Sequence, residues 1–191
     1  MNREFLKDLL STPSVSGYEE AIQQKALAYG KAFAHAQLTD PSGNAVSIVN
    51  PDAAHRVLLC GHIDEIGFIV THIDDSGRLH LAKAGGVSPR LYIGSPVQVW
   101  HEGSKVNGII ATSSDLVKKE KIDVSDLLVD IGAASKEEAA AAVAVGDMVC
   151  ADVPVRELMN DCFTCRGLDD RTGAFVVLEA AREAAKQGAS M

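Results

Sequence analysis

His62 and Asp64 stand two residues apart in Gly61-His62-Ile63-Asp64-Glu65-Ile66-Gly67, directly after the apolar run Val57-Leu58-Leu59-Cys60. On an extended strand that spacing sends both side chains to one face. An imidazole is a good ligand for zinc or cobalt, and a nearby carboxylate can orient the ligand or a catalytic base without touching the metal. The same spacing suits a plain structural pair, a histidine hydrogen-bonded to a turn carboxylate. A second acidic pair, Asp169 and Asp170, opens the last helical pattern in Gly167-Leu168-Asp169-Asp170-Arg171-Thr172-Gly173. Aspartates at a helix N-terminus ordinarily cap it by accepting backbone N–H bonds. A carboxylate fixed there still has a second oxygen free to bridge two cations, and Arg171 alongside can limit its rotation or balance its charge. The two roles are compatible, with Asp170 and Arg171 as candidates for support behind the ligands.

Other reactive groups point to less. Cys162-Phe163-Thr164-Cys165 has metal-ligand spacing but lacks the second pair of a zinc knuckle and the βα setting of a redox motif, so structural thiols are the reading taken. His35, His55, His72, His80 and His101 have no partners at ligand spacing. Gly85-Gly86 lacks the strand-to-helix context and the lysine of a phosphate loop, and neither Thr12-Pro13-Ser14 nor Ser113-Ser114-Asp115 forms a nucleophile elbow. Nucleotide binding and serine-hydrolase chemistry are therefore not supported.

The elements that must hold these residues read as α/β. Phe5, Leu6, Leu9 and Leu10 recur at helical spacing until the Thr12–Gly17 stretch breaks the pattern, and Ala21, Ile22, Ala26, Tyr29 and Phe33 mark a second helix. Residues 36–49 read as a hairpin turning at Asp40-Pro41-Ser42-Gly43-Asn44. Val57–Cys60 reads as a strand covered on both faces, central in its sheet, and its carboxyl end is where catalytic groups of open α/β sheets gather. From Gly67 to Val155 short β-rich runs separated by DDSG, AGG and HEG predict a small barrel or sandwich. One helix interrupts it, Ser135–Val143, with Ser135 as N-cap and Glu138 completing a capping box. A final helix runs to about Gln187, with Gly188 at its end. No strand follows in the sequence, so the α/β layer is expected to be incomplete.

The totals exclude several classes. The chain has 191 residues, 47% hydrophobic and 23% charged, which is a globular rather than a disordered composition. A formal net charge of -8 repels a phosphate backbone, and no basic cluster offsets it, so no nucleic-acid partner is expected. No run is long and apolar enough for a signal peptide or a membrane span. Four cysteines are too few for a secreted disulfide scaffold, and a cytoplasmic location is expected.

Taken together, STPSVSGYEE near the start, GHIDEIGF, LLVDIGAASKEEA followed by GDMV, and RGLDDRTG resemble the metallopeptidase family of glutamyl and tetrahedral aminopeptidases, which includes cellulase-like and fructose-operon-associated proteins. The resemblance spans nearly the whole chain. It implies an incomplete three-layer peptidase domain (1–66 and 155–191) with an inserted β-barrel-like dimerisation domain (67–154). It further implies that His62 is a metal ligand, that Asp169 bridges two zinc or cobalt ions, and that Asp64 is a catalytic residue positioning the machinery without binding metal. The activity implied is cleavage of the first peptide bond of short peptides by a metal-bridging water, in homo-oligomers built from barrel-mediated dimers and reaching dodecamers. The family's Glu-Glu pair and its later Asp and His ligands have no counterpart up to Met191, so weak metal occupancy and little activity are expected of this polypeptide alone. A non-catalytic self-association module on a peptidase scaffold is the competing class. Glycan hydrolysis by Asp64 and Asp169 is a third reading, testable as chelator-insensitive sugar cleavage.

Overall fold

The apolar spacing of the first segment produces helix α1 (Arg3–Ser11), whose N-cap Asn2 accepts the Phe5 N–H and whose buried stripe is Phe5, Leu9 and Leu10. Helix α2 (Glu20–Gly30) contributes Ile22 and Ala26, and the Phe5 and Tyr29 rings stack at 3.7 Å between centroids. These residues close a small core with Phe175 from the last helix. In the computed structural model, which describes residues 1–188, this helical layer and the β-rich segment form two compact units. One is Met1–Glu65 together with the chain from Pro154 onward, and the other is Ile66–Val153.

Within the first unit, strands β1 (Ala36–Thr39) and β2 (Ala45–Ile48) form the expected hairpin. Asp40 makes its turn by accepting the N–H groups of Ser42 and Asn44. The expectation for Val57–Cys60 is overturned. This segment pairs with no strand among the described residues, and Val57, Leu58 and Leu59 are 63%, 81% and 49% exposed. Apolar sequence favours burial but does not create a partner, and a strand exists only where another backbone completes its ladder.

The second unit is a closed barrel in the order β3-β4-β7-β6-β5-β8, from strands β3 (Gly67–Ile73), β4 (Leu79–Ala84), β5 (Pro96–His101), β6 (Ser104–Ile110), β7 (Leu128–Asp130) and β8 (Met148–Ala151). All neighbours are antiparallel, and the β3–β8 pairing closes the ring. Alternation fills the interior: Val97 and Val99 point in from β5, while Gln98 between them and Trp100 after them are only half-buried. On β3 a register shift between Val70 and His72 places two successive residues, Thr71 and His72, outside, and so returns Ile73 to the core. Closure removes sheet edges, so the barrel rather than the sandwich is the form taken.

Two details of the helices differ from the sequence reading. Helix α4 (Lys136–Ala140) is capped by Ser135, which accepts the Glu138 N–H, but the Glu138 carboxylate accepts from Ala134 N rather than from Ser135 N. A further helix, α3 (Ser114–Lys118), capped by Ser113, is too short for its periodicity to show. Back in the first unit, two-residue strands β9 (Arg156–Glu157) and β10 (Phe163–Thr164) pair before helix α5 (Leu168–Lys186), which ends beside Gly188.

Candidate functional site

The chain beyond the exposed apolar run stays extended through His62 and Asp64, and it is fastened to the loop after α1. Val15 and Glu65 form an isolated parallel bridge, the Glu65 N–H donating to Ser14 O at 2.9 Å and the Ser16 N–H to Glu65 O at 3.2 Å. The Ser14 hydroxyl donates to Ile63 O at 2.6 Å. These bonds satisfy backbone groups of an extended segment that belongs to no sheet.

Beneath them lies a buried ionic cluster. Arg171 is fully buried, and its guanidinium donates to Leu10 O, Ser14 Oγ and Ile63 O. The same guanidinium lies 2.9 Å from Glu65 Oε1, which Arg166 also engages. Charges at this depth persist only when paired and hydrogen-bonded, and here one carboxylate is shared by two guanidinium groups. Arg171 thus ties helix α5, the loop after α1 and the His62 segment together from inside.

The start of α5 places its two aspartates differently. The Asp169–Asp170 peptide is cis, and both residues have non-helical backbone angles, so the regular helix begins at Arg171. Asp170 Oδ1 accepts the Gly173 N–H at 3.2 Å and acts as the cap. Asp169 is released from capping, its side chain is 97% exposed, and its Oδ1 lies 3.2 Å from His62 Nε2. The other ring nitrogen, Nδ1, lies 2.9 Å from Asp64 Oδ1. Gly61 allows this approach: a Cβ there would sit 2.6 Å from Ala174 N and 2.7 Å from Ala174 Cα.

His62, Asp64 and Asp169, separated by up to 107 positions (169 minus 62), are therefore brought together, while Asp170 caps α5 and Arg171 acts on the His62 segment through Ile63 O. No group of three or more His, Cys, Asp or Glu side chains placed to hold one metal ion occurs among the described residues. The donor chemistry nevertheless fits a cation. Two ligands each about 2.0–2.1 Å from one tetrahedral ion stand roughly 3.3 Å apart, close to the separation of His62 Nε2 and Asp169 Oδ1. The second Asp169 oxygen faces solvent. Ser14, Ser16, Glu65 and Arg166 belong to the support of this site and were not singled out by sequence reasoning. Only the STPSVSGYEE and GHIDEIGF motifs, taken as a pair, carried a trace of them.

Residues 43–190 match the M42 glutamyl aminopeptidase family, and the chain belongs to that family. It is 30% identical over 188 residues to the lysyl aminopeptidase of Pyrococcus furiosus, covering 94% of this chain and 54% of that protein. Among solved structures, the TET aminopeptidase of the marine sediment archaeon Thaumarchaeota archaeon SCGC AB-539-E09 superposes with a TM-score of 0.90 at 33% identity, over 98% of this chain and 55% of the other. The TET1 peptidase of Pyrococcus horikoshii, which assembles into a tetrahedron or a large octahedral shell, gives 0.85 at 34% identity, over 97% and 57%. The chain thus carries a peptidase scaffold and spans about half the length of the relatives it matches. Peptidases of this family are metal-dependent.

Proposed function

We propose that this chain supplies one side of the active site of a dinuclear metal-dependent aminopeptidase that removes the first residue of short peptides. The observation that carries the reading is the convergence of His62 Nε2 and Asp169 Oδ1 at 3.2 Å, with Asp64 on the far ring nitrogen. In this role His62 and Asp169 would hold the metal ions, and Asp64 would orient the ring through Nδ1 so that Nε2 is left for a cation. Two divalent ions, zinc or cobalt, would polarise the peptide carbonyl and activate the attacking water. Asp170 holds the start of α5, and the Arg171 cluster holds the extended segment on which His62 and Asp64 stand.

One imidazole and one bridging carboxylate fall short of the four ligands of a closed zinc site. The polypeptide by itself is accordingly expected to bind metal weakly and to lack peptidase activity. The remaining ligands and the general base would come from the part of the protein corresponding to the other half of its relatives. Barrel-mediated dimers, and larger assemblies of the TET kind, are the oligomers proposed, in a cytoplasmic setting consistent with four free thiols. No described helix is long and apolar enough to cross a membrane.

Exposure of Val57, Leu58 and Leu59 lends weight to a second reading, a non-catalytic module whose open apolar segment is covered by a partner. Elemental analysis for zinc and cobalt, paired with aminoacyl-p-nitroanilide cleavage, separates the two. It is run on this chain with and without a separately expressed segment corresponding to the relatives' second half. Metal uptake and cleavage on mixing support the peptidase, and their absence from a mixture that forms a complex rejects it.

A further inference from the structure

The carboxylate that steadies His62 is itself held. Asp64 Oδ1 faces His62 Nδ1 at 2.9 Å, and Asp64 Oδ2 accepts a hydrogen bond from the Ser16 hydroxyl at 2.5 Å. A carboxylate turns freely about its terminal bond unless both oxygens are engaged, and that rotation would carry Oδ1 away from the ring. Ser16 is not at this place by chance of side-chain rotation. Its own N–H is bonded to Glu65 O, its neighbour Val15 is bridged to Glu65, and Ser14 is bonded to Ile63 O and to the buried Arg171. The backbone of residues 14–16 is therefore registered against residues 63–65, and the hydroxyl arrives opposite Asp64 by that register.

We propose that Ser16 is a positioning residue of the metal site: by fixing Asp64 Oδ2 it keeps Asp64 Oδ1 against His62 Nδ1 and so holds the imidazole ring with Nε2 turned toward Asp169. This rests on the assignment of His62 as a ligand made above. Ser16 touches neither substrate nor metal in this scheme. It acts through Asp64, as a hydrogen-bonded partner one shell further out than the carboxylate that orients a ligating imidazole. The hydroxyl donates one proton and can do so only to Asp64 or to solvent, so its removal leaves Oδ2 to water and Asp64 free to swing.

The test compares the wild-type chain with Ser16→Ala, Ser16→Thr and Asp64→Asn. The His62 ring orientation is read from a crystal structure of each protein, and Zn²⁺ affinity by titration calorimetry with the metal alone. Wild type and Ser16→Thr should show one ring orientation, with Nδ1 against Asp64. Ser16→Ala should show Asp64 rotated and the His62 ring in more than one orientation, with a roughly tenfold loss of Zn²⁺ affinity, in the same direction as Asp64→Asn, because losing such a partner costs about 10- to 100-fold. A Ser16→Ala protein with the wild-type ring orientation and affinity overturns the proposal, as does a Ser16→Thr protein that behaves like Ser16→Ala while keeping its fold by circular dichroism. If wild type takes up no Zn²⁺, the ligand assignment of His62 fails, and the ring-orientation comparison still decides whether Ser16 sets the ring.

Discussion

Replacing Arg171 by methionine keeps most of the aliphatic volume and removes the charge on which the first unit's interior is organised. Arg171 is fully buried, and the substitution strips donors from Leu10 O, Ser14 Oγ and Ile63 O and one of two cations from Glu65, which is itself 4% exposed. Breaking a buried ion pair from one side costs about 3–5 kcal/mol, because the remaining charge stays buried. Arg166 still engages Glu65, so the ionic part falls at the low end, about 3 kcal/mol, and the acceptors that lose a donor add about 1 kcal/mol, Ile63 O keeping its bond from the Ser14 hydroxyl. A loss of about 4 kcal/mol is a large share of the roughly 5–15 kcal/mol typical of a whole domain. Hydrogen exchange of the α1 and α5 peptides in urea reads this unit, and Trp100 fluorescence reads the barrel separately. As a control, Arg182→Met on the same helix removes pairs with Glu179 and Glu183 from a side chain that is 24% exposed, and should cost no more than about 1 kcal/mol. An Arg171→Met loss below about 1 kcal/mol would refute the claim that this guanidinium ties the three segments together.

Gly61→Ala should cost about 1–3 kcal/mol and enlarge the His62–Asp169 separation, since its Cβ meets the α5 backbone; a crystal structure and urea melts of the variant read both. Leu58→Ser should change the stability of this chain by less than about 0.5 kcal/mol, whereas Leu9→Ala, at a fully buried position, should cost about 2–5 kcal/mol in the same melts. His101 is raised above its ordinary 6.5 by its hydrogen bond to Asp147, against a smaller desolvation effect. Its contribution is complete below pH 6.5 and is lost as pH rises through the folded value, so barrel melting should drop as pH is raised above 6.5, and His101→Gln should flatten that drop. Asp74, lowered to about 2 by the Ser76 hydroxyl and by backbone N–H groups, contributes above pH 3.8 and loses that contribution as pH falls toward 2; Asp74→Asn should remove this acid limb from the pH–stability profile.

Local chemistry was legible wherever neighbouring residues alone decide it. The Asp40–Asn44 turn, the Ser135 cap and the start of α5 rest on contacts within a few positions, and the barrel strands showed in the alternation of residues such as Val97 and Val99 although their partners are distant in sequence. The family resemblance then named His62, Asp64 and Asp169, which the fold does bring together. Val57–Leu59 was misread because apolar character records a preference for burial and carries no information on which backbone supplies the cover. Ser16 and Glu65 escaped notice for a related reason. Their roles depend on pairing residues 14–16 with residues 63–65, and a serine before a glycine looks like any loop serine until that register is known. Capping chemistry alone does not tell Asp170 from Asp169, since either can cap a helix; the resemblance pointed to Asp169, and it is Asp169 that is left to face His62 while Asp170 caps.

The central claim is that His62 and Asp169 share a cation, and paramagnetic NMR with Co²⁺ tests it most directly. Stepwise addition of Co²⁺ to the ¹⁵N-labelled chain should broaden or shift resonances in a sphere centred between the His62 ring and the Asp169 carboxylate, at weak affinity. His62→Ala and Asp169→Asn should each abolish the effect. Perturbations centred elsewhere, or persisting unchanged in both variants, would contradict it.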